Sequence, residues 1–237
     1  MSHCEIGLVG AGTVRSMKTK LLLIAGVAAA AALISSGAQA AGLVNGSFDN
    51  TPCGAGYCNY AGGGEPAGFG WSVTSNNVDI VPGPGTWGTP QDGAQMLDLV
   101  GYGATGGIAQ SFATTSGATY NLSFYYANNP YPSGVDSAVV TVTGAGSLLS
   151  SGFTHTTSTP SNMDWVHFTG SFTANSSLTT LAFNETAGGG NAGVFLDNVS
   201  VTGGVPEPTT WAMMLVGFGG LGVALRRRRA GAVLAIA

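Results

Sequence analysis

Thr119-Tyr-Asn-Leu-Ser-Phe-Tyr-Tyr126 spaces Tyr120, Leu122, Phe124 and Tyr126 two residues apart, which lines them along one face of a β-strand. Asp164-Trp-Val-His-Phe-Thr-Gly-Ser-Phe172 repeats the pattern with Val166, Phe168 and Phe172. Ser137–Thr143, Leu178–Phe183 and Val194–Val201 are β-branched or alternating runs, and none of these segments keeps a helical period over ten residues. Turn-rich pieces separate them: Ala61-Gly-Gly-Gly-Glu-Pro66, Val81-Pro-Gly-Pro-Gly85 and Ala187-Gly-Gly-Gly-Asn191. The pattern predicts an all-β domain over 41–204, a jelly-roll-type β-sandwich of about nine or ten strands. No internal repeat is visible.

Working outward, the flanks are of a different character. Met17-Lys-Thr-Lys20, the apolar run Leu21–Ile34 and Ala38-Gln-Ala40 form the basic, apolar and small-residue parts of a secretory signal peptide. Residues 17–40 are read as that peptide, with cleavage at Ala38 and Ala40 and a mature N-terminus at Ala41. Residues 1–16 are then an upstream extension outside the exported product. They hold a glycine-rich stretch, Ile6–Arg15, that lacks the βαβ unit and the following acid a dinucleotide site needs.

At the other end, Pro206-Glu-Pro208 is an extended, exposed tripeptide, because proline fixes φ and cannot continue a helix. The apolar run from Trp211 to Leu225 would span roughly 22 Å as a helix, short of a roughly 30 Å hydrocarbon core. Trp211 suits the membrane interface, and Arg226, Arg227, Arg228 and Arg229 would stay cytoplasmic by the positive-inside rule. A single membrane helix is expected there, with everything upstream outside the inner membrane. Ala230–Ala237 follow as a tail.

All seven Lys and Arg lie outside 41–204, which holds Asp49, Glu65, Asp79, Asp92, Asp98, Asp136, Asp164, Glu185 and Asp197. A chain of that length buries about 70% of its unfolded surface, enough for one core. Without basic residues the domain is a poor partner for nucleic acid or anionic lipid, both of which require phosphate neutralisation. Cys53 and Cys58 flank Gly-Ala-Gly-Tyr. In an exported chain they predict a disulfide clipping a surface loop; a metal pair is the alternative, with no second Cys or His pair at ligand spacing.

Val205-Pro-Glu-Pro-Thr-Thr-Trp-Ala212, the apolar run and the arginine block together resemble the PEP-CTERM sorting signal of Gram-negative bacteria. The resemblance implies recognition by an exosortase near Pro206, Glu207 and Pro208, transient residence in the inner membrane through 211–225, and a link to exopolysaccharide. The tail after the arginines is longer than such signals usually carry. Leu43-Val-Asn-Gly-Ser-Phe-Asp49, Gly70-Trp-Ser-Val73, Gln91–Leu99, Ile108-Ala-Gln-Ser-Phe112 and a closing Phe195-Leu-Asp-Asn-Val-Ser-Val201 are similar to the choice-of-anchor C family. They are similar also to plant cell-wall domains of the galactose-binding-like superfamily. That likeness implies a carbohydrate-binding-type sandwich displayed at a surface.

Asp197 alternates with Phe195, Val199 and Val201, so it is expected to point where apolar side chains point. A buried carboxylate with no Lys or Arg to pair with needs backbone donors, a proton or a cation. Calcium suits carboxylate and carbonyl oxygens, and by resemblance would join Asp49 to Asp197. For sugar recognition the candidates are Trp87, Tyr102, Tyr131 and Trp165, rings placed in loops or opposite an apolar face; Trp71 reads as core. No catalytic motif is found. His155 and His167 are too far apart for a zinc-protease pair, and Gly101–Gly106 matches a nucleotide fingerprint only in letters. The expected function is non-catalytic association with exopolysaccharide. Alternatives are a glycan hydrolase drawing on Asp92, Asp98 or Asp164, or a structural matrix protein that binds no sugar.

Overall fold

The computed structural model describes residues 42–131, 135–188, 190–203, 213–222 and 226. The proposed signal peptide with Ala38, Ala40 and Ala41 lies outside them, as do residues 1–16 and 230–237. So do Pro206, Glu207, Pro208, Trp211, Ala212 and Arg227–Arg229 of the sorting signal. Residues 213–222 are helical, and Arg226 is helical and exposed. Among the described residues no helix is long and apolar enough to cross a membrane.

Eleven described strands follow in order: β1 Cys58–Ala61, β2 Ser72–Ser75, β3 Asn77–Pro82, β4 Gln95–Asp98, β5 Gly107–Ala113 and β6 Thr119–Asn128, then β7 Asp136–Thr143, β8 Ser147–His155, β9 Val166–Thr173, β10 Leu178–Ala187 and β11 Val194–Gly203. They form two sheets, β1-β3-β4-β11-β6-β9 and β2-β5-β10-β7-β8. Every pairing is antiparallel. The expected β-sandwich is present, with β1, β3 and β8 beyond the runs read from sequence; β3 takes in Val81 and Pro82, which were read as the start of a turn. Leu43–Asp49, in contrast, is not a strand; it runs as turns closed by Phe48 N–H to Asn45 O (3.3 Å) and Thr51 N–H to Phe48 O (3.2 Å).

Alternation explains the packing. On β6, Tyr120, Leu122 and Phe124 are buried while Asn121 is exposed and Ser123 half-buried. They meet Ile80, Leu97, Leu196, Val140, Leu181 and Phe183 between the sheets. Phe124 sits at the centre of an aromatic group, its centroid 4.6 Å from Phe168, 4.9 Å from Phe183 and 5.2 Å from Phe153. Each such ring buried contributes about 1.5–3 kcal/mol of apolar transfer. The main cluster, with the chains packed against it, lies entirely between Leu43 and Val201, so this segment contains its whole core.

A second, smaller cluster lies on the outer face of the six-stranded sheet. Val81, Met96, Ala127 and Phe195 rise from the strands, and Met163, Trp87 and Trp165 close over them from two connections. This cluster corrects the reading of β11. Strict alternation predicted Phe195, Asp197, Val199 and Val201 on one face, but the pairing moves from Asp197–Tyr125 to Ser200–Ser123. That inserts one residue opposite β6, and Asn198 takes φ 48° there. A bulge reverses which side chains face inward. Phe195 therefore packs outside, in the smaller cluster, while Val199 and Val201 enter the core.

The bulge also brings the opening and closing motifs together. Val199 N–H donates to Gly46 O at 2.9 Å. A Cβ at Gly46 would stand 2.0 Å from Val199 O, so the contact admits no side chain. Asn45 holds the turn shut, its Nδ2 donating to Thr51 Oγ1 (2.9 Å) and Phe69 O (3.0 Å) while Oδ1 accepts from Asn50 N–H (3.0 Å). Trp71, core as expected, donates its indole N–H to Asn45 O at 3.1 Å.

Candidate functional site: an aromatic groove over paired carboxyls

The register of the six-stranded sheet builds a polar row on its outer face. Asn59 pairs with Asp79, Asp79 with Asp98, and Asp98 with Phe195. Val78, Ile80, Leu97 and Leu99 fill the core, so Asp79 and Asp98 must point the other way. Directly opposed residues of this kind have Cβ atoms about 4.5–5.5 Å apart. Above this row opens a groove of about 440 Å³, lined by Asp79, Val81, Asp98, Asn129 and Asn191 with Tyr57, Trp87, Tyr102 and Tyr131.

Each wall has a local cause. The Cys53–Cys58 disulfide is present, and its closed loop carries Tyr57 edge-on to Trp87, with centroids 5.7 Å apart at 89°. Tyr102 lies in the Gly101–Gly106 stretch, whose backbone is held by Asn77 and Asn191: Gly101 N–H donates to Asn77 O (3.2 Å) and Gly103 N–H to Asn191 Oδ1 (2.9 Å). The stretch is a wall of the groove between β4 and β5. Asn129 follows β6; its Nδ2 donates to Asp98 Oδ2 (2.8 Å), and its Oδ1 accepts from Tyr131 N–H (2.9 Å). Tyr102 is 77% exposed and Tyr131 52%, so these rings stand in solvent rather than in the core.

Of the four rings expected to recognise sugar, Trp87, Tyr102 and Tyr131 come together here. Trp165 does not. It leans on the smaller cluster, donates Nε1–H to Thr89 O (3.0 Å), and lines a separate groove of about 390 Å³ with Tyr125 and Asn162. Beside that second groove His167 stacks on Tyr125, with centroids 4.4 Å apart.

The floor is electrostatically unusual. Burial pushes the Asp98 carboxyl well above the usual range, against hydrogen bonds from Val100 N–H and Asn129. Burial also raises Asp79, partly offset by Asn59 Nδ2 at 2.6 Å. Behind the groove, burial lifts Asp136 to about 6. It lifts Glu185 to about 9, against a bond from Val194 N–H and helped by the charges of Asp98 and Asp136. With no Lys or Arg in 41–204, these acids are relieved by protons and amide donors rather than by salt bridges.

Asp197 is fully buried, and it is satisfied by backbone donors. Its Oδ2 accepts from Gln91 N–H (2.8 Å) and Asp92 N–H (3.0 Å), and its Oδ1 from Asn198 N–H (2.7 Å). Asp49 Oδ1 takes Ala94 N–H (2.7 Å) and Gln95 N–H (3.0 Å). The two aspartates thus pin the connection from Gln91 to Gln95 to the opening and closing segments of the domain. Phe48, Asp49 and Thr51 carbonyls all turn to Gln95 Nε2, at 3.4, 3.1 and 3.0 Å. Asp49 Oδ1, both Asp197 oxygens and the Phe48, Asp49 and Thr51 carbonyls, which a calcium ion would use, are therefore engaged by N–H groups. Among the described residues no group of three or more His, Cys, Asp or Glu is arranged to hold a metal.

The acids considered for hydrolysis do not converge. Asp98 lines the aromatic groove, Asp164 the second groove, and Asp92 is exposed in the pinned connection. Asp98 gives one oxygen to Val100 N–H (2.9 Å) and the other to Asn129. His155 is buried, its ring between Asn128 Oδ1 (2.7 Å) and Asp164 O (3.0 Å). Ser158 beside it gives its proton to Met163 O (2.7 Å), so this Ser–His pair is structural.

Tyr57, Asp79, Asn129 and Asn191 are groove residues that sequence reasoning missed. Asp79 stands between Val78 and Ile80, whose side chains fill the core, so alternation places its carboxyl on the outer face. Tyr57 lies inside the six-residue disulfide loop, where a ring has no core to enter.

A family model described as "Protein of unknown function (DUF642)" matches residues 41–202, and one described as "PEP-CTERM protein-sorting motif" matches residues 204–229. Halomucin of Haloquadratum walsbyi is 34% identical over 140 residues, 56% of this chain and 1% of that protein's own length. TmCBM61 in complex with β-1,4-galactotriose is similar with a TM-score of 0.44 and 14% identity, over 55% of this chain and 86% of its own. The CBM22-1-CBM22-2 tandem domain of Paenibacillus barcinonensis Xyn10C gives 0.44 and 17%, over 71% of this chain and 47% of its own. The family match runs from the opening turns to the closing strand: the chain belongs to the DUF642 family and carries a PEP-CTERM sorting motif behind that domain.

Proposed function

We propose that the chain is an exported, non-catalytic glycan-binding protein whose ligand lies in the Trp87–Tyr102–Tyr131 groove. One observation carries this reading: exposed aromatic rings surround a floor of carboxyl and amide groups in a single cleft. Rings of this kind stack on the apolar faces of sugars, and amides and acids read hydroxyl groups. The engaged oxygens of Asp98 and the scattered positions of Asp92 and Asp164 favour binding over hydrolysis.

The sorting motif supplies the rest of the proposal. The chain is delivered across the inner membrane, held there briefly through 211–225, cut by an exosortase near Pro206–Pro208, and released to associate with exopolysaccharide. The test is binding of the 42–203 sandwich, which contains its whole core, to a glycan array and to host exopolysaccharide. Saturable binding lost in Trp87→Ala and retained in Trp165→Ala is expected. No saturable binding to any glycan would leave a structural matrix protein instead.

A further inference from the structure

We propose that the groove selects glycans bearing free amino groups, with the ammonium of a hexosamine seated on the Asp79–Asp98 pair. The inference rests on the glycan-binding reading and names its ligand class. Asp79 and Asp98 are directly opposed on neighbouring strands, 7% and 1% exposed, and both face the groove. Most buried carboxyls in such a position meet an arginine or lysine, because unpaired burial is costly. Here 41–204 has neither residue, so the protein has no counter-ion to offer.

The hydrogen bonds leave room for one. Asp98 is held on both oxygens, by Val100 N–H and by Asn129 Nδ2. Asp79 accepts from Asn59 Nδ2 on Oδ1, while its Oδ2 takes no donor among the described residues. A cation arriving along the groove therefore meets one free carboxylate oxygen with a second acid behind it. Trp87 and Tyr57, edge to face above the same floor, add ring faces that attract a cation. An ammonium satisfies all three features at once through charge-assisted hydrogen bonds and a cation–π contact. A uronic acid or a sulfated sugar instead brings negative charge toward two acids with no basic residue in the domain to offset it.

The test compares three soluble oligomers of equal length on the 42–203 sandwich at neutral pH: glucosamine oligomer, its N-acetylated counterpart, and oligogalacturonate. The amine form is expected to bind about tenfold or more tightly than the acetylated form, the gain typical of one charge-assisted hydrogen bond. The uronide is expected not to bind. In Asp79→Asn the amine and acetylated oligomers should bind within about twofold of each other. Equal or tighter binding of the acetylated or acidic oligomer overturns the amine preference while leaving a glycan-binding groove. Absence of binding by all three, together with silence on a wider glycan array, overturns the underlying reading as well.

Discussion

The buried acids predict a sandwich that gains stability as pH falls. Glu185 is 6% exposed with its carboxyl raised to about 9, and Asp197 is 0% exposed and raised to about 7, chiefly by burial. In the unfolded chain both return to the ordinary carboxylate range near 4. Between those limits the folded state binds protons that the unfolded state has released, so stability falls as pH rises. Each group then contributes a slope of about 1.4 kcal/mol per pH unit, or about 2.7 for the two together between pH 5 and 6. Asp197 stops contributing above about 7 and Glu185 above about 9. Asp136, Asp98 and Asp79 act in the same direction, and Glu65, lowered by hydrogen bonds led by that from Val73 N–H, acts in the opposite one. For a domain of this size the slope amounts to a fall in Tm of about 5–10 °C per unit. Calorimetric melts of the sandwich from pH 4 to 9, with Glu185→Gln in parallel, read it directly. The variant should lose about 1.4 kcal/mol per pH unit of the slope between pH 5 and 6, the share of one group. A Tm that stays level or climbs over that interval, or a variant with the slope of the wild type, refutes the burial argument.

Four further perturbations address the scaffold. Gly46→Ala forces a Cβ against the Val199 carbonyl and should cost about 2–4 kcal/mol, read as a Tm lower by about 5–15 °C; an unchanged Tm would mean the two motifs are not locked. Replacing Cys53 and Cys58 together with serine should cost about 2 kcal/mol of loop-closure entropy and weaken sugar binding by freeing Tyr57 from Trp87; a loss of stability with full affinity would remove Tyr57 from the site. Asp197→Ala strands the N–H groups of Gln91, Asp92 and Asn198 and should cost about 3–5 kcal/mol. In the wild type, millimolar calcium and chelator should give the same Tm; a rise with calcium would show that the oxygens around Gln95 leave their N–H partners for the ion.

How far the sequence reveals this molecule depends on which interaction governs each residue. Tyr120, Leu122 and Phe124 were legible because nothing interrupts the pleat of β6, and alternation alone decides burial. The same rule failed on β11, where the inserted residue at Asn198 turns Val199 and Val201 inward. Asp197 was recognised as buried, yet its donors come from Gln91 and Asp92, more than a hundred positions away, and no local pattern encodes such a meeting. Trp87, Tyr102 and Tyr131 could be picked as loop rings, but their convergence depends on the register that places β3, β4 and β6 in one sheet. The same long-range register sends Trp165 to another groove. Asp79 gave no such signal: its apolar neighbours Val78 and Ile80 face the core, so alternation alone sends Asp79 outward, and only the pairing with Asp98 shows what it meets there.

The most direct measurement is chemical-shift mapping of the labelled 42–203 sandwich titrated with oligosaccharides from host exopolysaccharide. The account predicts saturable shifts centred on the Trp87 indole N–H, Tyr102, the Asn129 and Asn191 side-chain amides and Tyr57. Shifts confined to Trp165, Tyr125 and Asn162, or none at saturating sugar, would contradict the assignment of ligand to this groove.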